Sequence, residues 1–225
     1  MNDAPVEINT TDSPSASIIW LHGLGADGND FAPIIPQLNL ARDCGYRFIF
    51  PHAPLRPVTC NGGYVMRAWY DIYSLENRSQ EDAAGLLQAK SIIETLIAKE
   101  IARGIPAQRI ILMGFSQGGA VALHAGLRFP QALAGIAALS SYLPLAETLA
   151  AEAHPGNAGT SIFMAHGSDD PVVAYKLGLK SRRLLEQQEY NVQWHEYPME
   201  HSVCGAEINH ISSWLGARLA KGGSA

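Results

Sequence analysis

The sequence predicts an α/β domain built on a mostly parallel central sheet with helices on both faces, and three observations carry that expectation. Short blocks at Ile18 to Leu21, Arg47 to Phe50, Ile110 to Met113, Leu133 to Leu139, Ser161 to Ala165 and Val192 to Tyr197 alternate with stretches of helical character. Alternation of that kind builds parallel sheets wrapped on both sides. The inner blocks are continuously apolar, as strands buried on both faces are. Loops carrying His, Ser and Asp leave the carboxyl ends of these blocks, where open α/β sheets place their ligand crevice.

The 225 residues hold neither a Ser/Gly-rich linker nor a shift in composition, so one domain over 1–225 is expected, with 1–15 and 221–225 poorly ordered. A length near 225 residues is enough for one large core. The formal net charge of −5 is spread along the chain and leaves no basic footprint for nucleic acid. Apolar runs all stop short of the roughly 18 residues of a membrane span, which argues against integral membrane association. The start Met1-Asn2-Asp3-Ala4-Pro5 lacks the basic opening and apolar stretch of a signal peptide. Cys44, Cys60 and Cys204 are far apart and without metal-type spacing. Reduced thiols in a cytoplasmic protein, with no metal or organic cofactor, are the expectation.

Taken in order, Ile18 to Leu21 is a buried strand that empties into His22-Gly23-Leu24-Gly25-Ala26-Asp27-Gly28, a loop whose glycines let the backbone approach a ligand. Asp30 is expected to cap a short helix through Leu38, made irregular by Pro33 and Pro36. After the strand Arg47 to Phe50 comes a Pro-, Gly- and aromatic-rich segment from Pro51 to about Arg78, too long for a plain connection and read as functional. Ser79 with Asp82 opens a long helix to about Arg103. Ala120 to Leu127 reads as a second helix, Ala174 to Gln188 as a third, and Cys204 to Ala220 as the last. Ile208, Ile211, Trp214, Leu215 and Leu219 share one face of that last helix.

Gly114-Phe115-Ser116-Gln117-Gly118 joins the strand Ile110 to Met113 to the helix that follows, the context of a nucleophile elbow. Side chains two residues either side of the serine would strike the neighbouring strand and helix, which explains the glycines. A serine hydroxyl needs a base, and the base needs an acid to fix its tautomer. On such an elbow the chain order is Ser, acid, His. Of the histidines after Ser116, His195 lies within a strand, His210 within the last helix, His166 beside the acid loop and His154 in a soft polar region. His201 alone stands in the loop between the last strand and the last helix. Asp169 and Asp170 both leave the preceding strand; Asp170 is favoured because Pro171 stiffens the turn behind it. Backbone N–H groups of Gln117 and Leu24 are the candidates for an oxyanion hole.

The chain resembles the phospholipase/carboxylesterase family, which includes acyl-protein thioesterases and bacterial carboxylesterases. The resemblance runs from about Ile18 to Leu215. It rests on Leu21-His22-Gly23-Leu24-Gly25-Ala26-Asp27-Gly28, Pro51-His52-Ala53-Pro54, Arg56-Pro57-Val58-Thr59, Asn61-Gly62-Gly63, Met66-Arg67-Ala68-Trp69-Tyr70-Asp71-Ile72, Gly114 to Gly119, His166-Gly167 to Asp170-Pro171-Val172-Val173, and Tyr197-Pro198-Met199-Glu200-His201. It implies the α/β-hydrolase fold, a Ser116–Asp170–His201 triad with the acid directly before the Pro-Val step, and oxyanion donors at Leu24 and Gln117. It also implies a small-molecule acyl ester or thioester as substrate, and a monomer or homodimer. The expected activity is that of a serine carboxylic-ester hydrolase for short- to medium-chain acyl esters. An acyl-protein thioesterase or lysophospholipase is the alternative, since ester and thioester share one mechanism. A catalytically silent binding protein is disfavoured because every triad member is present. The absence of a large inserted lid points to dispersed substrates. Leu55, Val58, Met66, Trp69, Tyr142 and Leu143 are expected to contact the acyl chain, with Trp69-Tyr70-Asp71-Ile72 readable equally as structural support.

Overall fold

The computed structural model describes residues 3–40, 45–74 and 80–220. Nine strands are β1 (Val6–Asn9), β2 (Ala16–Leu21), β3 (Tyr46–Phe50), β4 (Leu55–Val58), β5 (Tyr64–Arg67), β6 (Ile110–Phe115), β7 (Gly135–Leu139), β8 (Ile162–Gly167) and β9 (Val192–Tyr197) among the described residues. The helices are α1 (Ala83–Ala102), α2 (Gln117–Leu127), α3 (Leu149–Glu152), α4 (Tyr175–Gln187) and α5 (Gly205–Leu219). Seven strands form one sheet in the order β1-β3-β2-β6-β7-β8-β9. Within that sheet, among the described residues, only the β1–β3 pair is antiparallel. This is the α/β-hydrolase arrangement, without a large lid among the described residues.

The period of two along each strand divides the apolar side chains between the two faces. Ile19, Leu21, Leu112, Ala138 and Met164 pack under α1 and α2 with Leu86, Ile93, Ile97, Val121 and Leu123. Ile18, Trp20, Ile111, Met113 and Phe163 pack on the other face with Ile208, Ile211, Trp214, Leu215 and Leu219 of α5. Asp82 caps α1 as expected, its carboxylate accepting the Gly85 N–H at 2.9 Å. Ser79, Cys44, the end of the long irregular segment and the tail 221–225 lie outside the described residues.

Three expectations need correction. Residues 6–9 are not loose: β1 closes the sheet edge against β3, and Glu7 holds it to α1 through Lys99 and Arg103 at 3.1 and 2.9 Å. A four-residue edge strand carries too little pattern to stand out, and its order comes from these tertiary contacts. The segment after Pro51 is not wholly irregular, since β4 and β5 pair as a hairpin turned by Gly62 and Gly63 at φ +65° and +78°. Pro57 is tolerated there because the hairpin consists of edge strands. Asp30 caps nothing; a 3-10 turn spans Ala32–Gln37 with Phe31 before it, and Pro36 lies inside it.

Glu207 sits in the first turn of α5 with no exposed surface, and neither carboxyl oxygen closes a well-formed hydrogen bond. Burial pushes its carboxyl up to about 8, the Cys204 N–H pulling weakly the other way. An unfolded Glu titrates near 4.3, so in that interval the folded chain keeps a proton the unfolded chain has released. The stability of the neutral form is complete below the unfolded value and is lost as pH rises through about 8. A shift of that size corresponds to about 5 kcal/mol. Glu207→Gln is therefore expected to raise the melting temperature at pH 8 by several degrees and flatten its decline with pH. Parallel melting curves for variant and wild type across pH 5 to 8 would contradict the assignment.

Candidate active site

Ser116 stands between the end of β6 and the start of α2 with φ 53° and ψ −120°, a conformation non-glycine residues rarely adopt. The turn is held by the Ser116 N–H donating to Leu139 O at 2.8 Å and by Ser141 Oγ donating to Ser116 O at 2.7 Å. A Cβ at Gly114 would lie 2.3 Å from Gly118 C, and one at Gly118 would lie 2.4 Å from Leu21 O. Only glycines let β6, α2 and the end of β2 approach this closely.

Around this hydroxyl the fold brings together side chains 85 and 31 residues apart. His201 Nε2 stands 2.9 Å from Ser116 Oγ, and His201 Nδ1 stands 2.7 Å from Asp170 Oδ2. An ionised carboxylate can only accept, so His201 carries its proton on Nδ1 and turns the Nε2 lone pair to the serine. The Phe115 ring lies 4.7 Å from the His201 ring, centroid to centroid, and walls one side of it. Asp170 is buried, and its other oxygen accepts the N–H groups of Val172 and Val173 at 2.8 and 2.9 Å. Asp169 faces solvent, and among the described residues its carboxylate meets only its neighbour Ser168, Oγ to Oδ2 at 3.2 Å. Geometry thus separates the two aspartates that spacing left open.

His166, read as a prop for the acid loop, is one. Its Nε2 is 2.8 Å from Val173 O and 3.4 Å from Asp170 Oδ2, and burial pushes its imidazole below the ordinary histidine range. The loops that carry Asp170 and His201 are also tied by backbone, Ser168 N–H to Tyr197 O at 2.8 Å and Asp169 N–H to Met199 O at 3.2 Å.

The loop after β2 lies against the elbow. A Cβ on Gly23 would stand 3.4 Å from Ser116 Cβ. Leu24 follows directly, and Gln117 opens α2, where a backbone N–H has no acceptor within the helix. Their supports lie in the motif stretches quoted above, but nothing in the sequence assigned them that role. His22 is buried, with Nδ1 2.7 Å from Gly23 O and Nε2 accepting the Ala53 N–H at 3.0 Å. Burial lowers its pKa to about 4, so it stays neutral at physiological pH. Gly25 N–H donates to Arg67 O at 2.9 Å, and the Arg67 guanidinium reaches Ala53 O at 2.9 Å as well as the Asp3 carboxylate.

The six residues expected to contact the acyl chain fare differently. Val58 and Trp69 are fully buried and offer no surface to a ligand. Trp69 is committed to hydrogen bonds, Nε1–H to His22 O and N–H to Gln117 Oε1, both at 2.9 Å. Asp71 is structural too, since it accepts the Thr59 N–H and hydroxyl at 2.8 and 2.6 Å. Leu55 stands exposed on the hairpin. Met66 is half-buried beside the Leu24–Gly25 loop, its Sδ 3.6 Å from where a Cβ of Gly25 would be. Tyr142 and Leu143 line a shallow cavity of about 150 Å³ with Ala146, Leu177 and Leu184.

Comparison with known proteins adds to this geometry. The family model for Phospholipase/Carboxylesterase matches residues 2–219. The chain is 46% identical to acyl-protein thioesterase 1 of Neurospora crassa over 92% of its own length and 88% of that protein's. It is 35% identical to carboxylesterase SOBER1 of Arabidopsis thaliana, covering 92% of each. The crystal structure of that SOBER1 superposes with a TM-score of 0.85 at 33% identity, over 91% of this chain and 99% of the other. Zea mays acyl-protein thioesterase 2 gives 0.85 at 29% identity, over 96% and 99%.

Proposed function

Since the chain belongs to the phospholipase/carboxylesterase family, we propose that it hydrolyses acyl esters and thioesters through a covalent acyl-serine at Ser116. The observation that carries this reading is the continuous hydrogen-bond line Asp170 Oδ2, His201 Nδ1, His201 Nε2, Ser116 Oγ, with steps of 2.7 and 2.9 Å. In the first step Oγ attacks the acyl carbon while its proton passes to His201 Nε2. The backbone N–H groups of Leu24 and Gln117 receive the charge that develops on the carbonyl oxygen. Collapse breaks the bond to the alcohol or thiol, and that group leaves with the proton from Nε2. Water then attacks the acyl-enzyme with His201 again taking the proton. The second collapse frees the acid and returns the proton to Oγ. Asp170 keeps Nδ1 protonated throughout and offsets the charge on the imidazolium.

Oxygen and sulfur esters share this path, and relatives named for each activity resemble the chain, so both are taken as substrates. For the acyl part, Met66, half-buried beside the Leu24–Gly25 loop, is taken as a short apolar wall, whereas Tyr142 and Leu143 are buried and line a cavity that no triad residue borders. Each methylene desolvated on such a wall is worth about 0.8 kcal/mol, or roughly fourfold in kcat/KM. Rates over matched oxygen-ester and thioester series are expected to rise over the first carbons and peak at roughly four to eight. A kcat/KM that keeps climbing to palmitoyl length, measured below the critical micelle concentration, would instead demand a long enclosed channel and favour a depalmitoylating role. Hydrolysis confined to thioesters would remove the esterase half of the reading.

A further inference from the structure

Trp69 belongs to a stretch that no step of the reaction uses, yet it is wholly buried and makes two directed hydrogen bonds toward the site. Its indole Nε1–H donates to the carbonyl of His22, the residue that opens the loop carrying Leu24. Its backbone N–H donates to Gln117 Oε1, and Gln117 Nε2 donates in turn to Tyr70 O at 2.7 Å. The amide side chain of Gln117 is therefore held between backbone groups of two consecutive residues, with both of its polar ends satisfied. Contact is tight elsewhere as well, since a Cβ on Gly118 would lie 2.6 Å from His22 O. His22 O is thus fixed from the indole side by a hydrogen bond and from the α2 side by packing.

We infer that Trp69 and the Gln117 side chain are positioning residues that hold the Leu24 and Gln117 backbone N–H groups at a fixed separation around the carbonyl oxygen of the substrate. This inference rests on the acyl-serine reading above. The two candidate donors come from segments almost a hundred residues apart in the chain, on the loop after β2 and at the start of α2. Among the described residues no hydrogen bond joins those two segments directly; Trp69 bridges them through one bond to each. An oxyanion hole works by being organised before charge develops, so a small loosening lowers the rate without much change in substrate binding.

Trp69→Phe removes the Nε1–H donor and keeps most of the ring. Loss of one oxyanion donor lowers kcat by about 10²–10³, so loosening of both should cost about 10–100-fold in kcat with KM changed by less than about twofold. The affinity of an acyl trifluoromethyl ketone, which forms a charged hemiketal on the serine, should fall by a comparable factor. The position of the acid limb of the pH–rate profile should not move, because Ser116, His201 and Asp170 are untouched. If a folded Trp69→Phe keeps kcat within about twofold of wild type, or loses kcat with ketone affinity unchanged, the inference is overturned and Trp69 is packing alone. Should that variant fail to fold, Gln117→Glu carries the test. It keeps an acceptor for the Trp69 N–H and sets an oxygen against Tyr70 O, and the same paired loss of kcat and ketone affinity is expected. Failure of the acyl-serine reading would look different: Ser116→Ala would retain hydrolysis whatever happened at Trp69.

Discussion

Ser116→Ala is expected to lower kcat for ester hydrolysis by roughly 10⁵–10⁶-fold while the protein stays folded. A residual rate of about 10³–10⁴ over the uncatalysed reaction should survive, because the proposed oxyanion donors, the N–H groups of Leu24 and Gln117, are untouched. The fold should tolerate the change for a structural reason. The φ of 53° at this position is imposed by packing of Gly114 against Gly118 and of Gly118 against Leu21. Alanine meets the same backbone strain as serine, so the variant neither gains nor loses on that account. Only the hydroxyl's bond to His201 is removed, worth about 1 kcal/mol. A fluorophosphonate should add one adduct to the wild type, located at Ser116 by peptide mass spectrometry, and none to the variant. Wild-type rates in the variant, or an adduct on another residue, would end the acyl-serine reading.

Much of the frame was legible because parallel strands buried on both faces must be continuously apolar. Ile110 to Met113 and Ser161 to Ala165 carry that signature, and the span Val192–Tyr197 is met end for end. The candidate base was read by elimination, since chain order and loop position single out His201, and its ring does stand between Ser116 Oγ and Asp170 Oδ2. Edges were harder. Val6–Asn9 is short, and what orders it is pairing with β3 and the ions of α1. The acid stayed ambiguous between neighbours, because spacing cannot say which of two adjacent carboxylates turns inward. Only the fold does, by offering Asp170 two backbone N–H groups and His201 while Asp169 meets solvent. Apolar character was the poorest guide. Val58 and Leu55 are both aliphatic residues of β4, yet one is fully buried and the other 66% exposed. The network joining Trp69 to His22 and Gln117 links residues 47 and 48 positions apart and leaves no periodic mark.

The second large effect expected is at the acid. Asp170→Asn should lower kcat by about 10³–10⁴-fold, whereas Asp169→Asn should stay within about twofold of wild type. The reason lies in what each oxygen of Asp170 accepts. Oδ1 takes the N–H groups of Val172 and Val173 at 2.8 and 2.9 Å, and Oδ2 takes His201 Nδ1–H at 2.7 Å. An asparagine has one acceptor and one donor end, so it can satisfy only one side. If the amide oxygen stays with Val172 and Val173, the NH₂ faces His201 Nδ1 and forces the ring to accept there. The proton then moves to Nε2 and points at Ser116 Oγ, where a base needs a lone pair. If the amide is turned over, its NH₂ meets two backbone N–H donors, and the buried one, at Val173, is left unpaired at about 1–3 kcal/mol. The first arrangement is the cheaper, so the wrong tautomer is the one that forms. Asp169 is exposed and its carboxylate meets only Ser168, so its amide should change neither tautomer nor turn. Comparing the two variants on one oxygen ester, with melting temperatures to show both are folded, decides the matter. A loss at position 169 that exceeds the loss at 170 would place the catalytic carboxylate one residue earlier and undo the hydrogen-bond line proposed here.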